Sequence, residues 1–306
     1  MMEKRSSAEG FTYFVFPEFS RTGIVSHLFS TRVGGVSAGP FSACNFSYTR
    51  GDRKDAVDEN YRRAVRALFE QCTSSGGFRA PDGFRLPGGD AAEGAQPDPL
   101  LTRIVLSQQT HTKNLRVVTE EDAGKGTVRP RDYTDIDGLL TNVPGLVLAT
   151  QHADCTPIYL VDPVRRAVAL VHSGWKGTVL CIADEAVRLM QKTYGTDPAD
   201  LLAGIGPVIS RDCYEIGAEV AAQLDEVFGR DRCVREGFYT EGSRKDHFQL
   251  DLTKTNTGIL TDAGVLPEHI FSSGLCTYSN PDLFFSHRFH GTSRGNNAAF
   301  LMLNPQ

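Results

Sequence analysis

The stretch "LATQHADCTPIYLVDPVRRAVALVHSGWKG", residues 148–177, carries the patterns that decide the fold. Its short apolar runs "PIYLVD" and "RAVALVH" are typical of buried β-strands. Cys155 comes just before the first run and His172 ends the second, so each stands where an apolar run breaks into small and polar residues. Because a rigid sheet can hold strand-end side chains toward one cleft, both are candidate site residues.

The same alternation of strands and loops extends outward from this stretch. Upstream, "RIVLSQQTH" ends at His111 and is followed by the apolar runs "LRVV" and "GLVLAT", which predict three more strands. Downstream, apolar residues at helical spacing predict a helix over 179–194 that stops at Gly195. "LLAGIG" predicts a strand, and 217–228 and 251–264 predict helices, the latter with Asp251 as its N-cap.

The N-terminal and C-terminal parts of the chain contain further apolar runs that predict strands. "FTYFVF" and "IVSHLFS" predict strands separated by turn-prone "SRTG", "STRVGGVSAGPFSACNFS" predicts a loop, and residues 55–72 predict a helix. "HIFSSGL", "LFFSHRF" and "AAFLML" predict closing strands. Grouped strands with a few helices indicate an α/β or α+β sandwich built on a mixed sheet.

The chain is expected to form a single domain over residues 1–306, interrupted by a flexible insertion at about 73–99. The insertion is rich in Gly and Pro and poor in aliphatic residues, so its composition cannot support a core. A solvated insertion is the simpler interpretation, and a lid over a pocket is the alternative.

Composition excludes several classes of partner. The net charge of -5 and the pI near 5.9 give no basic field for nucleic acid or anionic membranes. No apolar run approaches the ~18 to 20 residues that cross a bilayer, and "MMEKRSSAEG" lacks the apolar core of a secretion signal. Seven cysteines without a framework pattern favour reduced thiols. We therefore expect a cytoplasmic protein with a small-molecule partner; its oligomeric state does not follow from sequence.

His111, Cys155 and His172 are candidate ligands of one metal ion. Two imidazoles and a thiolate suit zinc, and three protein ligands leave a fourth position for water or substrate, as in catalytic zinc sites. Each residue also has another interpretation, since a lone cysteine is often a core residue or a nucleophile and a lone histidine is often a satisfied polar residue.

Three charged residues are further candidates. Asp154 could be a general base, a group that orients a metal-bound histidine, or a surface acid. Arg32 and Arg288 could hold an anion through their planar forks of donors, or could be solvated. The glycine-rich "TRVGG" and "GIGP" do not match a phosphate-loop spacing.

Longer motifs run through nearly the whole chain outside the insertion. They are "STRVGGVS" with Asn45, "QQTH", "DGLLTN", "ADCTPIYLVDP", "VHSGWKGT", "GIGPVISRDCYEIG", "LDL" and "FFSHR". On these motifs the chain resembles the YfiH-like, or laccase-domain, family, whose members are described both as multicopper polyphenol oxidases and as purine nucleoside phosphorylases.

The resemblance implies a mixed α/β sandwich with zinc held by His111, Cys155 and His172, and copper is the alternative metal for the same three ligands. It implies phosphorolysis of adenosine, inosine, guanosine and methylthioadenosine, together with adenosine deamination. Asp154, beside the three ligands, is kept as a candidate catalytic residue on its position in the sequence. The matching positions for binding the purine nucleoside and phosphate are Arg32, Ser37, Asn45, Gln109 and Arg288.

The chain departs from the family pattern at several places. His152 precedes "ADC", Ser173 stands in "HSGW", and Phe289 and His290 replace the usual pair after Arg288, which leaves Arg294 out of register. These departures affect the expected substrate preference and the strength of phosphate binding.

Other functions stay open at this point. A multicopper oxidase needs about ten histidines largely in HxH pairs, whereas this chain has eight and no HxH, but copper-dependent phenol oxidation at one site remains an alternative. Cys155 activated by His172 is typical of cysteine hydrolases and amidases, including those that edit peptidoglycan precursors. A module that binds purines without turnover is the remaining alternative.

Overall fold

A computed structural model gives the fold and describes residues 1–74 and 98–305. The described strands are β1 (Glu3–Ser6), β2 (Thr12–Val15), β3 (Val25–Ser30), β4 (Ile104–Leu106), β5 (Leu115–Val117), β6 (Gly138–Thr141), β7 (Val147–His152), β8 (Thr156–Asp162), β9 (Ala167–Ser173), β10 (Leu202–Ile205), β11 (Glu215–Gly217), β12 (Tyr239–Glu241), β13 (His247–Leu250), β14 (Ile270–Ser272) and β15 (Asn297–Leu303). The described helices are α1 (Pro17–Thr22), α2 (Lys54–Ser74), α3 (Pro99–Thr102), α4 (Trp175–Val179), α5 (Ile182–Tyr194), α6 (Ala218–Phe228), α7 (Arg230–Glu236), α8 (Leu252–Asp262) and α9 (His287–His290).

The strands form two six-stranded sheets and one small sheet. The first sheet has the order β1-β2-β3-β15-β7-β4, the second β14-β10-β8-β9-β6-β5, and the small sheet β11-β13-β12. Both large sheets are mixed, since β4 pairs in parallel with β7, β5 with β6 and β10 with β14, while the other pairs are antiparallel. The predicted mixed α/β sandwich is confirmed.

The two large sheets pack face to face, and helices cover their outer faces. Phe29 and Leu301 of the first sheet share a core with Leu170 of the second. The neighbours of those residues point outward: Leu28 packs with helix α2, and Ala169 packs with α5 and α8. Because both faces of a central strand are covered, all residues of β3, β8 and β9 are buried, including polar ones such as His27.

The chain passes from one sheet to the other at residues 153–155. Strand β7 lies in the first sheet and β8 in the second, so this corner stands at the edge of the sandwich. Thr156 at the start of β8 pairs with Ser173 at the end of β9. Cys155 therefore lies beside the residues that follow β9, and antiparallel pairing brings His172 to the same edge.

The structure corrects the predicted strand in "LFFSHRF". Phe284 and Phe285 are buried in a loop, and the chain then forms helix α9. The Ser286 side chain caps this helix by accepting a hydrogen bond from Phe289 N at 3.1 Å, a local signal that favours a helix start over a strand.

Other boundaries also differ from the predicted elements. The turn-prone "SRTG" ends helix α1, and the helix predicted from Val179 is split, because Cys181 (φ 55°) interrupts it between α4 and α5. Gly195 (φ 71°) ends α5 and Asp251 caps α8, as predicted. Short strands and helices such as β1, β12, β13 and α7 were not predicted from periodicity, because each has too few residues to show one.

The predicted insertion at 73–99 lies mostly outside the described residues. Its first two residues belong to α2, and its last falls in α3, whose N-cap is Asp98. Residues 75–97, where the flexible segment or lid was expected, are outside the described ranges, and the single domain stays a prediction. Within residues 1–74 and 98–305, no helix combines the length and hydropathy that crossing a bilayer requires.

Candidate metal centre and its two cavities

The three predicted ligands come together at the edge of the sandwich. The ligand atoms of His111, Cys155 and His172 all lie within 4.8 Å of one another. Cys155 Sγ is 3.7 Å from His111 Nε2, and the two histidine rings are 5.0 Å apart between centroids. His172 is buried, Cys155 is half-buried and His111 is exposed, so the cluster opens to solvent on one side.

Asp137 is the residue that orients this cluster. Its carboxylate is fully buried, and Oδ1 accepts hydrogen bonds from His172 Nδ1 at 2.8 Å and from His111 N at 3.1 Å. Oδ2 accepts from the backbone and hydroxyl of Thr112, both at 2.8 Å, and from Thr110 N at 3.2 Å. A carboxylate on Nδ1 leaves Nε2 free for a metal and is the usual partner of a metal-bound histidine.

The charged groups of the cluster shift one another's pKa values. Burial by itself would raise the pKa of the Cys155 thiol, but the charge of His172 and the hydrogen bond with His111 lower it to about 6. Burial would lower the pKa of His172, but the Cys155 thiolate and the hydrogen bond to Asp137 raise it to about 9. Despite its burial, Asp137 has a pKa lowered to about 2 by the hydrogen bonds from His172 and Thr112. The sulfur is thus held as a thiolate, the form that binds metals.

Gly174 leaves the space in which the ligands meet. A Cβ at this position would lie 2.9 Å from Cys155 Sγ and 2.9 Å from His111 Cδ2. Real Cβ atoms do not approach other heavy atoms that closely, so only glycine fits without moving a ligand. Two imidazoles, one thiolate, an orienting carboxylate and this gap together fit a zinc ion.

Two cavities meet at the cluster and share His111, Ala153 and Cys155 as lining residues. The larger cavity, of about 510 Å³, also contacts His172 and is bordered by three arginines, which are Arg50, Arg131 and Arg294. The smaller cavity, of about 220 Å³, is lined mainly by apolar and aromatic side chains. Those side chains are Trp175, Ile209, Tyr214 and Leu252.

Asp154 does not orient a histidine, in contrast to one of its predicted roles. Its Oδ1 accepts from Thr277 Oγ1 at 2.6 Å, and its Oδ2 accepts from Arg288 N at 2.7 Å. Asp154 has positive φ (88°) at the corner between the sheets, and these two bonds tie that corner to the C-terminal segment. The Arg288 guanidinium lies over the Tyr214 ring at 5.2 Å and lines the smaller cavity.

Arg32 lies away from both cavities. Its guanidinium donates to Ser42 O at 2.7 and 2.8 Å and to Pro281 O at 3.0 Å. Arg32 Nη1 also contacts His290 Nε2 at 2.9 Å, and burial together with this positive charge lowers the pKa of His290. These contacts occupy the guanidinium fork that was expected to hold phosphate. Arg32 therefore supports the loops that contain Ser42 and Pro281, and His290, where the chain departs from the family pattern, contacts its Nη1.

Of the other three expected substrate-binding residues, one lines a cavity and two do not. Gln109 lines the larger cavity, and its amide is bonded to the backbone of Gln151. Ser37 and Asn45 are buried and line neither cavity. Asn45 Oδ1 instead accepts from Asn296 N at 2.9 Å and so fixes a residue that does line the larger cavity.

Sequence reasoning missed Asp137 and the three arginines. Asp137 begins the motif "DGLLTN", which was noticed only as part of a resemblance. Its position directly before a buried strand, like that of Cys155, was the available signal. Arg294 was recognised only as out of register, yet the structure places it in the larger cavity.

Comparisons with known proteins show similarity over most of the chain. The family model described as "Multi-copper polyphenol oxidoreductase laccase" matches residues 26–75 and 94–304. Purine nucleoside phosphorylase YlmD of Bacillus subtilis (strain 168) is 34% identical over 277 residues, which are 89% of this chain and 86% of that protein. Purine nucleoside phosphorylase YfiH of Escherichia coli (strain K12) is 28% identical over 289 residues, 94% of this chain and 98% of that protein. The crystal structure of YlmD from Geobacillus stearothermophilus superposes with a TM-score of 0.81 at 30% identity, covering 100% of both chains.

Proposed function

Because this chain belongs to the laccase-domain family of multi-copper polyphenol oxidoreductases, whose relatives include purine nucleoside phosphorylases, we propose that it is a zinc-dependent purine nucleoside phosphorylase. Its substrates are adenosine, inosine, guanosine and methylthioadenosine, and it also deaminates adenosine. The observation that carries this proposal is the cluster of two imidazoles and one thiolate, with ligand atoms within 4.8 Å of one another, at the junction of two cavities.

The residues of the cluster have distinct roles. Cys155, His172 and His111 hold the metal, and Asp137 fixes the His172 ring and the backbone of His111. When bound, zinc supplies Lewis acidity and lowers the pKa of a water molecule to about 7. Exposure of His111 on the open side leaves room for a substrate to approach the fourth position.

The smaller cavity fits the purine base. Trp175 and Tyr214 offer aromatic faces, and Ile209 and Leu252 offer apolar surface, while Arg288 and Asp154 provide polar groups at its margin. A mainly apolar pocket with a few placed polar groups is typical of small-molecule sites. Asp154 keeps its place among the candidate catalytic residues because it lines the same cavity.

Two observations favour other functions. The lowered pKa of Cys155 beside His172 is the arrangement of a cysteine hydrolase, which requires a metal-free site. The description of the matching family model favours copper-dependent phenol oxidation at the same three ligands. Metal content and co-substrate separate these functions.

An assay with adenosine tests the proposal. Zinc-loaded protein with adenosine and phosphate should release adenine and ribose 1-phosphate, and without phosphate it should form inosine by deamination. Cys155→Ser should lose most of the zinc and of both activities. Cys181→Ser, at a half-buried thiol outside the cluster, is the matched control and should keep them. Absence of turnover of any purine nucleoside by zinc-loaded protein would reject the proposal, and oxygen uptake with a phenol after copper loading would favour the oxidase.

A further inference from the structure

Arg294 is a buried cation that has no acidic partner among the described residues. It is 5% exposed, and its Nη1 donates to Gly295 O at 2.9 Å and to Asn296 Oδ1, whereas its Nε is buried without a hydrogen-bond partner among the described residues. No carboxylate within residues 1–74 and 98–305 lies within 4.0 Å of it. Burial and the positive charge of Arg50 lower the pKa of Arg294 to about 10, so it stays charged at neutral pH. A buried charge is costly unless an opposite charge compensates it.

Two more arginines border the same cavity. Arg50 is exposed and Arg131 is half-buried, with Arg131 Nη1 donating to Ser107 O at 2.6 Å. In the part of the chain that the structure describes, neither forms an ion pair. Among the other half-buried arginines that the structure describes, Arg62 pairs with Asp98, whereas Arg32 and Arg166 donate to backbone carbonyls. The three cavity arginines come from separate segments, so their convergence is a product of the fold.

Nearby negative groups do not neutralise the arginine wall, which is the side of the larger cavity formed by Arg50, Arg131 and Arg294. Asp154 and Cys155 attract Arg294 electrostatically but form no ion pair or hydrogen bond with it. The Asp154 oxygens are bonded to Thr277 and to the backbone of Arg288, and Cys155 is a ligand of the proposed metal. Guanidinium groups match phosphate oxygens by paired hydrogen bonds, so the wall is suited to a phosphate.

We propose that the larger cavity is the site of inorganic phosphate, bound by Arg294, Arg131 and Arg50, while the purine occupies the smaller cavity. This inference rests on the proposed function. Because the two cavities meet at the cluster, the ribose C1′ lies at their junction, with phosphate on one side and the base on the other. A hydrogen phosphate oxygen forms a bond to C1′ as the C1′–N9 bond breaks. The purine leaves with the bonding electron pair and receives the phosphate proton, which yields ribose 1-phosphate and the free base.

Binding of inorganic phosphate to the zinc-loaded protein, measured by calorimetry without nucleoside, is the direct test. Arg294→Gln, Arg131→Gln and Arg50→Gln should each weaken phosphate binding, by about tenfold to hundredfold for Arg294, because each removes charge-assisted hydrogen bonds. The KM for phosphate should rise to match, with the KM for adenosine unchanged. Arg129→Gln, at an exposed arginine two residues from Arg131, is the control and should leave phosphate affinity unchanged.

The outcomes separate this inference from the proposed function. Phosphate binding that depends on these arginines, without phosphorolysis, would support the anion site and reject the function. Phosphorolysis with an unchanged phosphate KM in all three variants would do the reverse. Folding of Arg294→Gln should be checked by circular dichroism. If that variant is unstable, phosphate affinity of Arg50→Gln still tests the inference, because Arg50 is exposed and its replacement should not affect folding. Tight binding of adenosine 5′-monophosphate through Arg294, with no binding of inorganic phosphate, would overturn the assignment in favour of a nucleotide phosphate.

Discussion

The site contains two buried charged groups with different partners: the Asp137 carboxylate beside the three candidate ligands, on the metal side, and the Arg294 guanidinium in the larger cavity, on the arginine side. On the metal side, the buried carboxylate of Asp137 has both oxygens engaged by hydrogen bonds from His172 and the loop of His111. On the arginine side, the buried guanidinium of Arg294 has an unbonded Nε and no carboxylate partner among the described residues. Asp137 is thus fixed by its own hydrogen bonds, whereas Arg294, which lines the larger cavity, keeps an unbonded Nε. The difference teaches that a buried charge with all its bonds satisfied acts as a support, whereas a buried charge at a cavity with an open donor is a candidate for ligand binding.

The largest expected effect is on the satisfied side. Asp137→Asn replaces one acceptor oxygen with an amide donor that faces existing donors, so His172 loses its orientation. We expect zinc affinity to fall about 10- to 100-fold, the usual effect of removing such a partner. Competition with a chromogenic chelator measures it. Asp135→Asn, at an exposed neighbour that accepts from Thr110 Oγ1 at 2.7 Å, is the control. Unchanged affinity in folded Asp137→Asn protein would show that the carboxylate does not support the metal.

A second prediction concerns the space between the ligands. Gly174→Ala places a Cβ 2.9 Å from both Cys155 Sγ and His111 Cδ2, so at least one ligand must move. Overpacking of this kind costs about 1–3 kcal/mol, and zinc binding weakens about tenfold for each 1.4 kcal/mol of that cost that falls on the ligands. Gly177→Ala, whose Cβ would lie 3.3 Å from Ile182 Cγ2, is the matched control in helix α4, which begins directly after Gly174. If both variants bind zinc like the parent chain, Gly174 is not required by the ligands.

The smallest effect on zinc binding is expected for Asp154, at the corner where the chain passes between the two large sheets. Thr277→Val removes the hydroxyl that donates to Asp154 Oδ1 at 2.6 Å and leaves a buried carboxylate with one fewer donor. The free energy of unfolding should fall by about 1–3 kcal/mol, while zinc content stays unchanged. Urea unfolding followed by fluorescence measures the first and metal analysis the second. Thr257→Val, whose hydroxyl bonds only to Thr253 O, serves for comparison, and a loss of zinc in Thr277→Val would place Asp154 in direct support of the metal.

Much of the fold follows from local patterns. The apolar runs that became β3, β7, β8 and β9 are buried on both faces, so their composition alone indicates strands. The run "LFFSHRF" shows the limit of this reasoning, because its phenylalanines are buried in a loop and Ser286 starts a helix. Local pattern does not tell a buried strand from a buried loop, since both are apolar.

The site was predictable only in part. His111, Cys155 and His172 are chemically distinctive and end or precede apolar runs, so residue type and position identify them. Arg32 and Arg294 are chemically alike, and the sequence predicts Arg32 as a phosphate ligand, whereas the structure places Arg294 in the larger cavity. Carbonyl groups occupy the Arg32 fork, whereas Arg294 faces the cavity beside Cys155 and His172.

The sequence by itself determined most of the longer strands, the main helices and the chemistry of the three candidate ligands, because these depend on residue type and short-range periodicity. Only the tertiary structure decided which carboxylate orients the ligands and which arginines line the larger cavity. Asp137 rather than Asp154 meets His172, and Arg50, Arg131 and Arg294 converge from three separate segments. Burial and partner identity are set by how distant segments pack, and that information is absent from any single stretch of the chain.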